Sequence, residues 1–155
     1  MLKPLVPQVA KKNLVVKRSK LPAAGKGLFT KQAIKKGAVI VEYKGALTTW
    51  KKILSYPGFN GYVFYINRNN VIDAKRRFTA LGRYANDAKG PGKMHGMVNN
   101  SHYITRGKQV YIQATRNIPA GGEILVSYGK EYWDVVKYNH AVSEQHKKLS
   151  KKKLP

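Results

Sequence analysis

Cysteine is absent from this 155-residue chain, and histidine is rare. Without cysteine the chain can form neither a disulfide framework nor a zinc or redox site that uses thiolate ligands. Its four histidines are scattered without metal-ligand spacing, so the sequence predicts no metal site. The domain must therefore be stabilised by its apolar core, for which 43% hydrophobic residues are sufficient at this length.

Long apolar runs are missing as well. No segment approaches the roughly 20 apolar residues that cross a bilayer. The opening residues, MLKPLVPQVAKK, lack the apolar stretch of a secretory signal peptide. These absences predict a soluble, intracellular protein with no membrane partner. We expect it in the cytoplasm or on the nucleoid, or in a host nucleus if it is a viral protein or an effector.

Acidic residues are the third scarcity: 30 lysines and arginines stand against 7 acids, which gives a formal charge of +23. Such a chain projects a positive potential that attracts polyanions at low salt. Composition alone therefore favours a small, basic, structural nucleic-acid-binding protein of the ribosomal or nucleoid type. A protein of that class needs no internal ligand cavity.

The pattern along the chain predicts one mostly β domain with short helices. Gly, Pro and Asn recur every ten residues or so, and 10 tyrosines with many Val and Ile favour short strands. Residues 1–12 have no usable periodicity and predict a basic flexible arm, residues 13–140 the folded domain, and residues 141–155 a Lys-rich tail.

Individual elements follow from periodicity and turn residues. The sequence predicts a glycine-rich turn at 23–30 that leads into a strand, and a hairpin over 62–74. It also predicts strands at 14–17, 39–44, 109–114 and 124–128, and helices over 48–54 and 131–146.

Residues 82–100 have no clean period, and a 19-residue aperiodic stretch is long for a small β domain. Such loops are functional or disordered. This one combines apolar side chains with Asn86, Asn99 and Asn100, whose amides both donate and accept hydrogen bonds. The mixture predicts a loop that lines a pocket.

Four segments, in this order, resemble the SET-domain lysine methyltransferases: residues 25–29 (GKGLF), 41–45 (VEYKG), 83–87 (RYAND) and 122–129 (GEILVSYG). The third is similar to the family's Arg-Phe-x-Asn-His and the fourth to its Glu-Leu-x-x-x-Tyr close. The segment 71–74 (VIDA) lies in the usual intermediate position. Without flanking cysteine clusters, the chain resembles the small stand-alone SET proteins of bacteria and viruses.

The resemblance implies a SET-domain β-clip fold of several small sheets with a C-terminal pseudoknot-like threading. It implies a protein-lysine N-methyltransferase that uses S-adenosylmethionine, with a basic or nucleic-acid-associated protein as substrate. The residues that it assigns are Tyr128 as the catalytic tyrosine; Lys26, Gly27, Arg83, Tyr84, Asn86, Asn99 and Trp133 at the cofactor; and Tyr43, Tyr65, Tyr103 and Val126 along the substrate channel.

Some assignments have alternatives. Asn100 matches the family's second asparagine as well as Asn99 does, and Tyr132 could cover the cofactor in place of Trp133. The aromatic residues could also be ordinary core. Asp87 stands where the family commonly has His, so the hydrogen bond that this His makes to the neighbouring loop must be remade or lost. A SET domain that binds the cofactor but methylates poorly is therefore a further reading.

Overall fold

The computed structural model describes residues 3–90, 93–134, 137–138, 141 and 144–145. The predicted Lys-rich tail at 141–155 lies almost entirely outside these ranges. In the part that is described, residues 130–134 are helical, as predicted for the segment after residue 131.

Besides the helical residues from 130 onward, nine strands and a short α-helix are present in these ranges. They are β1 (Leu14–Arg18), β2 (Lys26–Thr30), β3 (Val39–Glu42), β4 (Ala46–Thr48), α1 (Trp50–Ser55), β5 (Val63–Asn67), β6 (Asn70–Asp73), β7 (Ser101–Arg106), β8 (Gln109–Ala114) and β9 (Glu123–Ile124). Short 3-10 turns occupy Lys11–Asn13 and Leu81–Tyr84.

The strands form three antiparallel sheets of three strands each, in the orders β1-β2-β9, β3-β8-β7 and β4-β6-β5. This confirms the prediction of a mostly β chain with several small sheets and short helices. The pseudoknot-like threading stays a prediction.

The glycine-rich turn between β1 and β2 forms where the sequence predicts it. Gly25 has a φ of 69° and Ala23 a φ of 60°, the left-handed conformation that tight turns need and that glycine adopts without strain. The turn sets the register in which Val16 faces Leu28 and Arg18 faces Lys26. It also leaves residues 21–25 beside the long loop that follows residue 82.

Two apolar cores hold the sheets together. The larger lies between the first two sheets and includes Leu28, Ile40, Ile112 and Ile124, all fully buried. Burial of one such side chain stabilises the fold by roughly 1.5–3 kcal/mol. The smaller lies between the second and third sheets and consists of Tyr43, Ile72, Ala74 and Val110.

Two of the strands escaped the sequence analysis. Ala46–Thr48 is only three residues long, and Ser101–Arg106 has the irregular burial of an edge strand, with Tyr103 and Ile104 both half-buried. Neither segment shows the strict alternation from which strands are predicted. Both form because a central strand, β6 or β8, offers them backbone partners.

The segment predicted as a flexible arm contacts the domain over its described part. Gln8 donates its backbone N–H to Val39 at 2.7 Å and accepts one from Val39 on its side chain at 3.0 Å. Val9 packs against the larger core, and Arg106 donates to the Lys3 carbonyl at 3.2 Å. These contacts attach the segment along β3.

Helix α1 forms within the predicted segment and begins at Trp50, since the Thr49 side chain accepts the Lys52 N–H at 3.2 Å and so caps the first turn. Its apolar residues are not buried, however, and Leu54 is 65% exposed.

No helix within the described ranges has the length and apolarity that crossing a membrane would require. Nor does the described part of the chain contain a cluster of three or more His, Asp or Glu suited to a metal ion.

Candidate functional site

A cavity of about 740 Å³ lies where the glycine-rich turn, the third sheet, the long loop and the segment after β9 meet. This volume is typical of a small-molecule site. Eight of the predicted site residues line it: Lys26, Tyr43, Arg83, Tyr84, Asn86, Tyr103, Tyr128 and Trp133. Four do not: Gly27, Tyr65, Asn99 and Val126. Segments more than 100 residues apart in the sequence thus share one cleft.

Tyr128 is held at the wall of this cavity by both its backbone and its side chain. Its hydroxyl donates to the Ala85 carbonyl oxygen at 2.6 Å, and its N–H donates to Asp87 at 2.8 Å. Burial, reinforced by the phenol of Tyr132, raises the pKa of Tyr128, so the hydroxyl stays protonated. Because the proton points to Ala85, the phenol oxygen keeps its lone pairs free to accept a hydrogen bond.

Two groups of aromatic side chains line the cavity. We call Tyr43, Phe64 and Tyr103 the channel wall; the Tyr103 ring lies 5.8 Å from Tyr43 and 5.0 Å from Phe64, edge-on in both cases. Burial raises the pKa of both tyrosines. The Tyr43 hydroxyl donates to the Tyr62 carbonyl at 2.8 Å. The result is a rigid, neutral apolar surface.

The second group consists of Tyr128, Tyr132 and Trp133, which we call the C-terminal aromatics. The Trp133 ring stacks on Tyr128 at 5.7 Å with an interplanar angle of 22°, and Tyr132 is edge-on to both rings. Both candidates for the closing aromatic therefore line the cavity.

Asp87 ties the C-terminal aromatics to the long loop. One carboxylate oxygen accepts the Trp133 indole N–H and the Tyr128 backbone N–H, both at 2.8 Å. The other accepts from the Asn99 amide and the Lys89 backbone, also at 2.8 Å. Burial opposes the charge, but these four hydrogen bonds outweigh it and lower the pKa of Asp87. A carboxylate therefore binds the surrounding loops at the position where the sequence resemblance leads one to expect a histidine.

The asparagines separate into two roles. Asn86 donates to the Lys26 carbonyl at 2.9 Å, which joins the long loop to the glycine-rich turn at the cavity. Asn99 accepts the Ala88 N–H in addition to its bond with Asp87, and Asn100 bonds Glu123 and Leu125. Asn99 is thus used inside the long loop and Asn100 joins the end of that loop to β9, and neither lines the cavity.

The other predicted residues outside the cavity have identifiable positions. Gly27 lies on β2 against the Glu123 carboxylate and Ser19, where a side chain would collide. Val126 is fully buried in the larger core. Tyr65 is 52% exposed and packs edge-on against Trp50 at 5.4 Å.

Phe64 lines the cavity from β5, whereas Tyr65, which was predicted for the substrate channel, does not. Successive strand residues point to opposite faces, so only one of the two can face the cavity. Phe64 packs with Tyr43 and Ile72 in the smaller core, which places it on the cavity side, and Tyr65 points to the exposed side. Phe59 and Tyr62, also missed, line the cavity from the loop before β5. Only the strand register could have revealed Phe64.

Arg83 is a buried cation at the cavity. Its guanidinium carbon lies 4.0 Å from the centre of the Tyr62 ring, and one terminal nitrogen donates to the Lys75 carbonyl at 3.0 Å. The Nε–H is buried without a hydrogen-bond partner, and no carboxylate among the described residues lies within ion-pair distance. A buried, unsatisfied donor is unfavourable, and the guanidinium is compensated by the Lys75 carbonyl and by the faces of the Tyr62, Phe78 and Tyr84 rings.

The scarce acids anchor the loops that surround the cavity. Glu123 accepts from the Ser19 hydroxyl at 2.5 Å and the Lys20 N–H at 3.0 Å, next to the glycine-rich turn. Asp73 accepts from the Asn60 amide at 2.9 Å and the Lys75 N–H at 3.0 Å. Carboxylates make hydrogen bonds of about 1.5–3 kcal/mol. The acids near the site segments are therefore used to position backbone.

Gly90 makes room for Trp133. A Cβ at this position would lie 2.5 Å from Cη2 of the indole, far inside van der Waals contact. We expect Gly90→Ala to push the indole off its seat and lower the free energy of unfolding by about 1–3 kcal/mol, the usual range for overpacking. Urea titration measures the loss, and indole emission reports the displacement in a background that lacks Trp50.

The matched control is a double-mutant cycle with Trp133→Ala. Once the indole is removed, the added methyl group meets no obstacle, and Gly90→Ala should then have little effect. An equal loss of stability in both backgrounds would mean that the two residues do not interact.

Comparisons with known proteins match most of the described chain. The family model described as SET domain matches residues 25–129. The chain is 28% identical over 127 residues to N-lysine methyltransferase KMT5A of Xenopus tropicalis. The aligned region covers 74% of this chain and 36% of that protein. It is 30% identical over 118 residues to N-lysine methyltransferase KMT5A-A of Danio rerio, covering 68% and 32%.

A third similar protein is the variant-silencing SET domain-containing protein of Plasmodium falciparum, 28% identical over 133 residues, or 78% of this chain and 5% of that protein. The chain thus spans about a third of the length of the two methyltransferases and a small part of the third protein.

Proposed function

This chain belongs to the SET-domain family, and we propose that it transfers methyl groups from S-adenosylmethionine to the side-chain nitrogen of a lysine in a protein. The observation that carries the proposal is the meeting of two unlike walls at Tyr128. One wall presents the polar and cationic residues Lys26, Arg83 and Asn86, and the other presents the aromatic rings of Tyr43 and Tyr103. The methyl donor and the substrate lysine differ in chemistry, and a cleft with two unlike walls can hold one of them against each wall.

The cavity fits the chemical groups of S-adenosylmethionine. Its carboxylate would be attracted by the positive charge of Arg83, its sulfonium and ammonium cations would gain from the C-terminal aromatics, and its flat adenine would lie against Trp133. Lys26, Tyr84 and Asn86 complete the residues that would hold it. When bound, this donor supplies a methyl carbon on positively charged sulfur, which a neutral amine can attack.

The channel wall would prepare the lysine. A free lysine with a pKa of about 10.4 is neutral in only about one molecule in 2,500 at pH 7. Transfer between the rings of Tyr43, Phe64 and Tyr103 removes water from the ammonium group and lowers its pKa. The proton then leaves to solvent before the amine reacts.

Tyr128 would orient that amine. Its hydroxyl proton is committed to the Ala85 carbonyl, so its oxygen can accept an N–H of the incoming nitrogen and fix the direction of the lone pair. Since the pKa of Tyr128 is raised by burial, the residue contributes no charge of its own. Most of the rate would come from holding two reactants in line.

The direct test is methyl transfer from labelled S-adenosylmethionine to proteins of a whole lysate, followed by hydrolysis to free amino acids. The proposal expects the label in methyl-lysine. Binding of the donor by calorimetry without transfer would identify a SET domain that has lost catalysis. Absence of donor binding would instead favour the small structural nucleic-acid-binding protein that composition alone suggests.

The pH dependence tests the role of the tyrosines. We expect log kcat/KM to rise with a slope near one from pH 7 to 9, because each unit of pH increases the neutral fraction of the substrate lysine tenfold. No second ionisation should appear in this window, since the pKa values of Tyr43 and Tyr128 are raised away from it. Initial rates on a substrate from the lysate assay measure the profile. A falling limb that Tyr128→Phe abolished would contradict the assignment.

We further propose that the substrate is a basic or nucleic-acid-associated protein. The reason is electrostatic: a chain with a formal charge of +23 concentrates on polyanions, where other basic proteins also bind. Identification of the labelled proteins by mass spectrometry tests this choice independently of the reaction itself.

A further inference from the structure

We propose that three adjoining loops form a docking surface for the phosphate backbone of duplex nucleic acid. The loops are residues 11–13, 31–37 and 115–117, and we call them together the basic face. The proposal uses only the charge and position of these loops, so it stands or falls separately from methyl transfer.

Backbone hydrogen bonds hold the three loops side by side. Lys31 donates its N–H to the Asn13 carbonyl at 2.7 Å, which joins the first loop to the second. Ile34 and Ile118 exchange two bonds of 2.8 Å, and the Asn117 side chain accepts the Lys36 N–H at 2.8 Å, which join the second to the third. Ile34 and Ile118 are buried in the larger core, so the loops have a firm base.

The basic face carries a dense positive charge without compensation. All six of its cations are exposed: Lys11, Lys12, Lys31, Lys35, Lys36 and Arg116. The three loops contain no acid, and the chain has none at all before Glu42. None of the six takes part in an ion pair within the part of the chain that the structure describes. Their potentials therefore add.

The basic face has no exposed apolar anchor among the described residues, and this indicates which class of partner it binds. The large hydrophobic side chains that are exposed in the described residues all lie outside these loops. A membrane surface would require aromatic or aliphatic residues to insert, and a protein partner would require a buried hot spot. Single strands are held by stacking on aromatic rings. A face with only cations and small polar groups fits duplex phosphates, which are bound by charge alone.

The basic face and the cavity can be used at the same time, because no residue of the three loops lines the cavity. Binding through this face would leave the cleft open to a protein on the same duplex. The two surfaces also allow separate tests, since substitutions on one do not touch the other.

The experiment compares two full-length variants that each lose four positive charges. The first, K31Q/K35Q/K36Q/R116Q, changes the basic face; the second, K51Q/K52Q/R68Q/K75Q, changes exposed cations on and near the third sheet. Fluorescence anisotropy with a 20-bp DNA duplex gives Kd between 50 and 300 mM NaCl. We expect the first variant to bind at least about tenfold more weakly at low salt, with a flatter salt dependence because fewer counterions are released. The second should change by less than about threefold.

Equal losses in the two variants would overturn the proposal, because binding would then depend on net charge and not on this face. Unchanged binding by the first variant would overturn it as well. The proposal would also be overturned if the first variant lost affinity for polyglutamate but not for DNA, because that result would identify an acidic protein as the partner. If the first variant fails to fold, the pairs K35Q/K36Q and K31Q/R116Q are measured instead, each against a two-charge control.

Discussion

Tyr128→Phe should reduce turnover by about a hundredfold while leaving the affinity for S-adenosylmethionine nearly unchanged. The substitution removes one oxygen, and with it both the 2.6 Å bond to the Ala85 carbonyl and the acceptor for the substrate amine. Loss of one preorganised hydrogen-bonding group at a reacting centre costs about 2.7–4 kcal/mol of transition-state stabilisation. Initial rates measure turnover, and calorimetry measures donor binding.

The backbone contact to Asp87 survives in this variant, because it uses the main-chain N–H of residue 128. The folded structure should therefore be retained. Tyr65→Phe is the matched control, since Tyr65 is half exposed and lies outside the cavity. Wild-type turnover in Tyr128→Phe would refute the assigned role, and an equal loss in the Tyr65 variant would attribute the effect to something other than the cavity hydroxyl.

Asp87→Asn should cause the largest loss of stability among single conservative substitutions at the site. An amide cannot accept four hydrogen bonds in the present geometry, because its NH₂ group would face N–H donors. Hydrogen bonds to a charged group contribute about 1.5–3 kcal/mol each, and a buried donor left unpaired adds its desolvation penalty. We expect a decrease of about 2–3 kcal/mol in the free energy of unfolding and a shift in Trp133 emission.

The pH dependence separates this role from a general effect of the substitution. The pKa of Asp87 is lowered on folding from its ordinary value of 3.8, so the carboxylate stabilises the fold above that value. The stabilisation is lost as the pH falls through the lower folded pKa. The difference between the wild type and Asp87→Asn should therefore shrink in acid.

Asp134→Asn is the control, since Asp134 is an exposed acid that pairs with Lys130 on the helix surface. Its stability should change by less than about 1 kcal/mol. Asp87→His restores the residue common in the family. If the histidine variant were as stable as the wild type, the four-bond arrangement would not be specific to the carboxylate.

Pairs of residues that are adjacent in the sequence show how much of the site could be predicted. Tyr128, Asn86 and Arg83 line the cavity, and they could be named from the sequence because each lies in a short motif; their roles stay proposals. Phe64 was missed in favour of Tyr65, because a strand pattern does not reveal which face meets the cavity. The second asparagine was left open between Asn99 and Asn100; Asn99 bonds within the loop and Asn100 bonds to Glu123 and Leu125.

The contacts of Asp87 could not be predicted either, because its partners come from segments as far apart as residues 89 and 133. The same holds for Arg83, whose unsatisfied Nε–H is a property of burial by Tyr62 and Phe78. Local periodicity reports secondary structure, whereas burial and hydrogen bonding are decided by residues distant in sequence.

By itself, the sequence determined the mostly β class, the excess of positive charge and the order of the motifs, since each of these is a property of composition or of a few consecutive residues. The tertiary structure alone decided which side chains share the cavity, which polar groups are already paired, and which cations lie side by side with no acid among them. The physical reason is that three small sheets meet through strands and loops far apart in the chain, and their register places each side chain at the cavity, in the core or at the surface.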